Sequence, residues 1–357
     1  MELRFNRLLI IDGSHMLHRS IEQINLWDMI DLNGRRTGGI FGTLNSILKE
    51  TSKYNYFPVV VFDGHLSKRR LEIYDNYKKA KDKQLLLEND RILTDAEELV
   101  NLKRAEYNSQ REVLKDLLKA FGLPVLHLSD WEGDDIIYIL SQITKDSIIV
   151  SDDKDMLQMI CDDNERRCRV RRGMRDEFWD LKTLNDMGID QMEYIACKAI
   201  CGDTSDNIPS ACFGVGEKTA LGLYKIYEHS KTVATGFPQD EKALAEICKF
   251  LNISKRKAYL DFDENQFLTN ILLMDLRLVY DDITSDVLAD IYDCICNRES
   301  DMNYEQVCNI LNELQIKSFN SNGLVNNINR TKNYIFIDSV DKTLNVPDEV
   351  QPLGRLF

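Results

Sequence analysis

A series of acidic residues, most of them where an apolar run stops, constrains this chain more than any other feature. The runs LLIIDG (8–13), VVVFDG (59–64), WEGDDIIYIL (131–140), SIIVSDDKD (147–155) and GDTSDNIP (202–209) carry Asp12, Asp63, Glu132, Asp134, Asp135, Asp153, Asp155, Asp203 and Asp206. A hydrophobic strand that ends at an Asp puts the carboxylate at the carboxyl edge of a sheet, where open α/β proteins bind ligands. Several such strands converge on one crevice, and carboxylates crowded there repel and raise one another's pKa. A divalent ion removes that penalty, and all-oxygen ligands suit Mg²⁺ or Mn²⁺. The pattern predicts a metal site in these acids, and phosphodiester hydrolysis is the chemistry such sites most often serve.

The chain has 357 residues and is 43% hydrophobic, enough for one large or two smaller domains. No apolar run approaches the ~18 residues of a membrane span. The N-terminal MELRFNRLLIIDG lacks the long apolar stretch of a signal peptide. Nine scattered Cys with no CxxC pair predict reduced thiols in a cytoplasmic protein. The net charge of −14 argues against nucleic acid, but it is unevenly spread. Lys68, Arg69, Arg70, Lys78, Lys79, Lys81 and Lys83 form one basic stretch, and Arg166, Arg167, Arg169, Arg171, Arg172 and Arg175 another. Local basic surface decides phosphate binding.

Strands are predicted at 7–12, 58–63, 125–128 and 148–150, and helices at 38–54, within 66–120, and at 132–143, 154–160 and 190–201. Their alternation argues for an α/β fold with a mostly parallel central sheet flanked by helices. Residues 165–180 read as an arginine-rich hairpin closed at Arg172-Gly173. It either binds DNA or pairs with Asp162, Asp163, Glu165, Asp176 and Glu177. Asp152 reads as a solvated strand-end residue, with a spare acid just outside the metal ligands as the alternative. Beyond residue 202 only helix and turn are expected, with helices at 218–228 and within 240–260 and a polar linker at 318–332. Gly214, Gly216, Lys218 and Thr219 open a helix, either as a phosphate-facing turn or as a plain helix start. Asp203 and Asp206 become neighbours if their segment makes a helical turn. His15, His18, His65, His127 and His229 are isolated, and Ser14 and Ser151 lack the His–Asp partners of a nucleophile.

The motifs LLIIDGSHMLHRS, RRTGGIFGTLNSILKE, VVVFDG, YDNYKKAKDK, WEGDDIIYIL, SIIVSDDKDMLQMI and GDTSDNIPSACFGVGEKTALGLY, in this order and spacing, resemble the 5′ nuclease superfamily. That group contains flap endonucleases, the 5′ nuclease domain of bacterial DNA polymerase I and phage 5′–3′ exonucleases. The resemblance runs over residues 7–280. It implies a PIN-like nuclease core at 1–200 with a helical arch at 66–110, a helix-three-turn-helix DNA-binding region at 201–280, and a helical C-terminal region and tail at 281–357.

The resemblance also implies residue roles. The acids named above would hold two Mg²⁺ ions, with Asp153 and Asp155 catalytic and with Asp203 and Asp206 completing the second cluster. Lys78 and Lys81 would contact the scissile phosphate, and Tyr77 would stack on a base. Arg19 and Gly38–Gly42 would help to hold the DNA end. Gly214–Thr219 would grip duplex backbone around a K⁺ ion. The implied protein is a monomeric, free-standing 5′–3′ exonuclease and flap endonuclease of replication and repair, with RNase H activity on primers. It would work in a bacterial or phage-infected cytoplasm beside single-stranded DNA-binding protein. The other reading is an inactive accessory factor that binds branched DNA. Gln351–Phe357 resembles the peptides that bind sliding clamps, with a frayed tail as the alternative. The chain departs from the family at Asp152, where Gly is usual, and at Ser210–Phe213, where the spacing is one residue longer.

Overall fold

In a computed structural model the described residues are 5–79, 95–234, 236–296 and 302–336. The sheet is built around β1 (Phe5–Asp12), in which Leu8, Leu9, Ile10 and Ile11 are fully buried. A strand apolar on both faces belongs in the middle of a parallel sheet covered on both sides. β1 pairs in parallel with β2 (Phe57–Val61) on one side and β4 (Thr144–Val150) on the other. β3 (Val125–Leu126) adds to β2, and β6 (Arg167–Arg172) adds to β4, again in parallel. The antiparallel β5 (Cys161–Asp162) and β7 (Glu177–Trp179) both pair with β6.

The order β3-β2-β1-β4-β6 makes the boundary between β1 and β4 the topological switch point, the usual place for a ligand. The α/β fold with a mostly parallel sheet is as the sequence predicts. β4 is longer than expected, because the polar Thr144 and Ser147 are both fully buried, Thr144 paired with β1 and Ser147 between β1 and β6.

The chain divides into two compact units. The first comprises Met1–His65, Ile92–Leu181 and Val279–Phe357, and the second Leu66–Arg91 and Lys182–Leu278. In the first, the polar stretch 318–332 is not a linker. Ser321–Thr331 is a helix, capped by Asn320 on the Gly323 N–H at 2.9 Å. Leu324 and Ile328, four residues apart, bury one face, while Asn327 and Arg330 bond Thr51 in the helix Gly38–Lys53. The asparagines that suggested a loop lie around a narrow apolar stripe.

The second unit is helical. Gln191–Cys201, Glu217–Thr232, Glu241–Phe250 and Glu264–Met274 enclose Ile200, Leu223, Ile226, Leu244 and Phe267. Tyr227 meets Phe267 edge to face at 5.1 Å. Among the described residues no helix is long and apolar enough to cross a membrane.

Candidate metal centre

Asp12 ends β1 and at once caps the helix Gly13–Glu22, accepting the His15 N–H at 2.9 Å. No loop intervenes, and Gly13 allows the tight passage: a Cβ there would stand 2.8 Å from Phe62 and Val60. The other Asp12 oxygen accepts the Ser151 hydroxyl at 2.9 Å. Asp63 follows β2. Its N–H donates to Ser14 Oγ at 2.9 Å, and its carboxylate accepts the Gly133 N–H at 2.7 Å. Gly133 is needed for that approach, since a Cβ would come within 2.7 Å of the same oxygen.

Asp134 stands in the first turn of the helix Gly133–Gln142. Asp153 follows β4 and caps the short 3-10 turn Lys154–Met159 by accepting the Asp155 N–H at 2.9 Å. Asp134, Asp153 and Asp155 each offer a carboxylate oxygen, and these lie within 4.8 Å of one another. Oxygen-only donors at this separation fit a hard divalent ion such as Mg²⁺ or Mn²⁺.

Electrostatics point the same way. Burial pushes the Asp12 pKa up to about 6; His15 opposes the rise, Asp63 adds to it, and the His15 N–H and Ser151 hydroxyl oppose it. Asp134 is held well above the ordinary carboxylate range by burial and then by Asp153, Asp12, Asp63 and Asp155. A helix N-terminus favours an acid by only about 0.3–1 kcal/mol, too little to offset burial and four like charges. Glu132 and Asp135 close a capping box on the same helix. The Asp135 N–H donates to the Glu132 side chain, and the Glu132 N–H donates to Asp135 at 3.3 Å.

Asp203 and Asp206 lie in the second unit, on a 3-10 turn at Thr204–Asp206. Asp203 accepts the Ser205 N–H at 2.8 Å and faces Lys198 Nζ at 3.2 Å. Burial works against its charge, but Ser205 and Lys198 prevail and hold its pKa below the ordinary value. Asp206 faces Lys78 Nζ at 3.7 Å and accepts the Lys78 N–H on its carbonyl at 2.9 Å. Lys78 has a left-handed backbone, φ 56°.

Tyr77 is only 3% exposed, packed in the apolar cluster with Lys78 5.0 Å from its ring, so stacking on a base would require it to leave that core. Gly216 caps the helix Glu217–Thr232 and Gly214 takes φ 74°, both facing open space, with Lys218 exposed and Thr219 half-buried. Lys81 and Gln351–Phe357 fall outside the described residues.

Asp152 is not solvated. Its side chain is 7% exposed and meets Arg19 at 3.0 Å, with His15 and Arg172 each at 3.6 Å. The arginine hairpin is heavily paired with acids: Arg167 and Arg169 with Asp146, Arg171 with Glu50 and Asp176, Arg172 with Glu177. Only Asp176 and Glu177 of these were expected partners, because sheet pairing brings in acids remote in sequence. Gly38, Gly39 and Gly42 serve close helix packing, a Cβ at each colliding with Leu26 or Gln110.

Sequence reasoning missed the supports. Ser14 and Ser151 are not nucleophiles; they orient Asp63 and Asp12, and their place two residues from Asp12 and Asp153 was the available signal. Tyr107 bonds Ser14, is pushed up to about 12 chiefly by burial, and stacks on His18 at 3.8 Å.

Comparison with known proteins now has a site to refer to. Residues 7–187 match the family described as 5′-3′ exonuclease, N-terminal resolvase-like domain. A DNA polymerase I from Lactococcus lactis subsp. cremoris is 28% identical over 304 residues, covering 78% of this chain but only 32% of the polymerase. A 5′-3′ exonuclease from Aquifex aeolicus is 28% identical over 265 residues, covering 72% of this chain and 83% of that enzyme. In fold, the chain is similar to the bacteriophage T5 D15 flap endonuclease in a complex with DNA and metal ions, with a TM-score of 0.57 at 18% identity over 86% of this chain and 99% of that one. The T5 D15 protein co-crystallised with metal ions gives 0.56 at 17% identity, over 85% and 98%. A family match over half of the chain and an acidic crevice at the sheet edge agree: this chain belongs to the 5′–3′ exonuclease family of the 5′ nuclease superfamily.

Proposed function

We propose that the protein is a Mg²⁺-dependent, structure-specific 5′ nuclease that hydrolyses phosphodiesters at the 5′ ends of duplex, flap or RNA-primed DNA. The observation that carries this is the Asp134, Asp153 and Asp155 group, with Asp12 and Asp63 adding negative charge at the same sheet edge. Asp134, Asp153 and Asp155 would hold a divalent ion, which would supply Lewis-acid activation of a phosphoryl oxygen and of water near neutral pH. The chain's own contribution is placement. Ser151 and the His15 N–H fix Asp12, and the Gly133 N–H fixes Asp63, so that the carboxylates are oriented before an ion arrives. Mn²⁺ would substitute for Mg²⁺, since both take oxygen ligands.

The finer assignments belong to the same proposal. Asp203 and Asp206 would serve a second ion by exchanging their contacts with Lys198 and Lys78. Lys78, with Lys81, would steady the scissile phosphate. Gly214, Gly216, Lys218 and Thr219 would carry duplex backbone on open helix-start amides, beside a K⁺ ion. Gln351–Phe357 would engage a sliding clamp.

The test is Mg²⁺-dependent cleavage of a 5′-labelled flap and a nicked duplex by wild type and by Asp153→Asn with Asp155→Asn. Cleavage that vanishes in the double variant while flap binding persists supports the nuclease. A wild type that binds branched DNA and never cuts it, in Mg²⁺ or Mn²⁺, leaves the accessory factor.

A further inference from the structure

Asp152 is approached by four nitrogens, three from side chains and one from a backbone amide. Its Oδ2 accepts from Arg19 Nη1 at 3.0 Å and lies 3.6 Å from His15 Nε2. Its Oδ1 lies 3.6 Å from Arg172 Nε and accepts the Met174 N–H at 3.4 Å. Arg19 Nε, Arg172 Nε and His15 Nε2 are buried and make no hydrogen bond. Arg172 is held from its other side by Glu177 at 2.7 Å and by the Trp179 ring at 4.2 Å. Gly173 leaves room for the Arg19 head, since a Cβ there would stand 2.6 Å from Nη1. The cluster is therefore built from a helix, a hairpin and the end of β4, with one carboxylate among three basic side chains.

Its position matters as much as its composition. Asp152 lies between Asp153 and Ser151, and Ser151 bonds Asp12. The two arginines border the acidic centre and carry the opposite charge to it. Buried donors without acceptors are costly. A phosphodiester, with several oxygens spread over a larger volume, would satisfy more of them than a carboxylate does.

We infer that Asp152 is a resident counterion occupying a backbone-phosphate subsite made by Arg19, Arg172 and His15, and that it withholds this subsite from nucleic acid. The inference rests on the DNA-binding reading above. Its consequence is a nuclease that grips substrate and product alike with one phosphate contact fewer than its cations could provide.

The experiment measures binding of a fluorescent 5′-flap duplex in EDTA as a function of salt. Asp152→Asn keeps the side-chain shape and removes the charge. It is expected to bind more tightly than wild type, with a log–log salt slope steeper by about 0.9 for the phosphate gained. That is roughly threefold more weakening than wild type shows between about 50 and about 200 mM salt. Adding Arg19→Gln to Asp152→Asn should return the slope to that of wild type. A merely structural Asp152 would lower the melting temperature without steepening the slope.

An unchanged or shallower slope in Asp152→Asn overturns the inference. Should that variant not fold, Asp152→Ser decides on the same slope: a steeper one supports the inference, and an unchanged or shallower one overturns it. If neither wild type nor Asp152→Asn binds the flap, the DNA-binding reading falls and the inference with it. Binding with equal slopes removes the inference alone.

Discussion

In the α/β unit, Asp134 has Asp12, Asp63, Asp153 and Asp155 for electrostatic neighbours, and its pKa rises. In the helical unit, Asp203 has Ser205 and Lys198, and its pKa falls. Both are acids at the start of a capped helical element, yet one environment penalises the charge and the other has already accommodated it. The difference separates a set of carboxylates that calls for an external cation from a pair that the chain supplies with its own. It also predicts opposite responses to neutralisation.

The largest effect is expected for Asp153→Asn with Asp155→Asn. Losing the ion's charge stabilisation, about 4 kcal/mol, would slow flap cleavage about a thousandfold. Retained flap binding in a gel shift would separate this from unfolding, and cleavage within tenfold of wild type would refute the assignment.

Next in size is the pH response of the metal-free protein. Asp12 has a folded pKa of about 6 against an ordinary 3.8, so the native state holds the proton more tightly than the unfolded chain. Stability in EDTA should therefore fall as pH rises from about 4 to about 6 and stay low above that, by on the order of 3 kcal/mol from this group. Asp134→Asn should raise the melting temperature in EDTA at neutral pH and reduce the rise that Mn²⁺ produces in wild type. Equal melts of wild type in EDTA at pH 5 and pH 7.5 would break the contrast.

Gly133→Ala tests placement without touching a carboxylate. The new methyl meets only the tip of Asp63, so the fold should survive while that oxygen is displaced. Mn²⁺ affinity, read by titration calorimetry, should drop about tenfold to a hundredfold, as for other supports of a ligand. Smallest is Lys198→Met, expected to destabilise by roughly 0.5–1 kcal/mol at neutral pH, because the pair is partly solvated. Asp203 gives its stabilisation above the ordinary carboxylate pKa and loses it as pH falls, the reverse of Asp12. A stabilising Lys198→Met would show that Asp203 belongs with the crowded acids after all.

What could be read in the sequence was whatever is local. The run LLIID predicts a buried strand and an acid at its end because both follow from neighbouring residues, and β1 and Asp12 are found so. The helix after Glu132 follows from its apolar run and first-turn acids. Contacts made by sheet pairing were not legible. Asp152 looked solvated because its partners Arg19 and Arg172 come from a helix and a hairpin distant along the chain. The Asn-rich helix Ser321–Thr331 was hidden because polar composition outweighed the two apolar residues that anchor it.

The central place of β1 also governs how the protein comes into being. Its flanking partners, β2 and β4, are made far apart in time, and the amide of Asn6 finds its acceptor only at Ile335, 2.8 Å away. Parallel pairings of such long reach form slowly. A nascent or unfolded chain keeps Asp12, Asp63 and Asp134 on segments separate from Asp153 and Asp155, and so offers a divalent ion only part of the set. The full set of ligands exists only in the finished sheet, so the site proposed for the ion is complete when the last of these strands has docked.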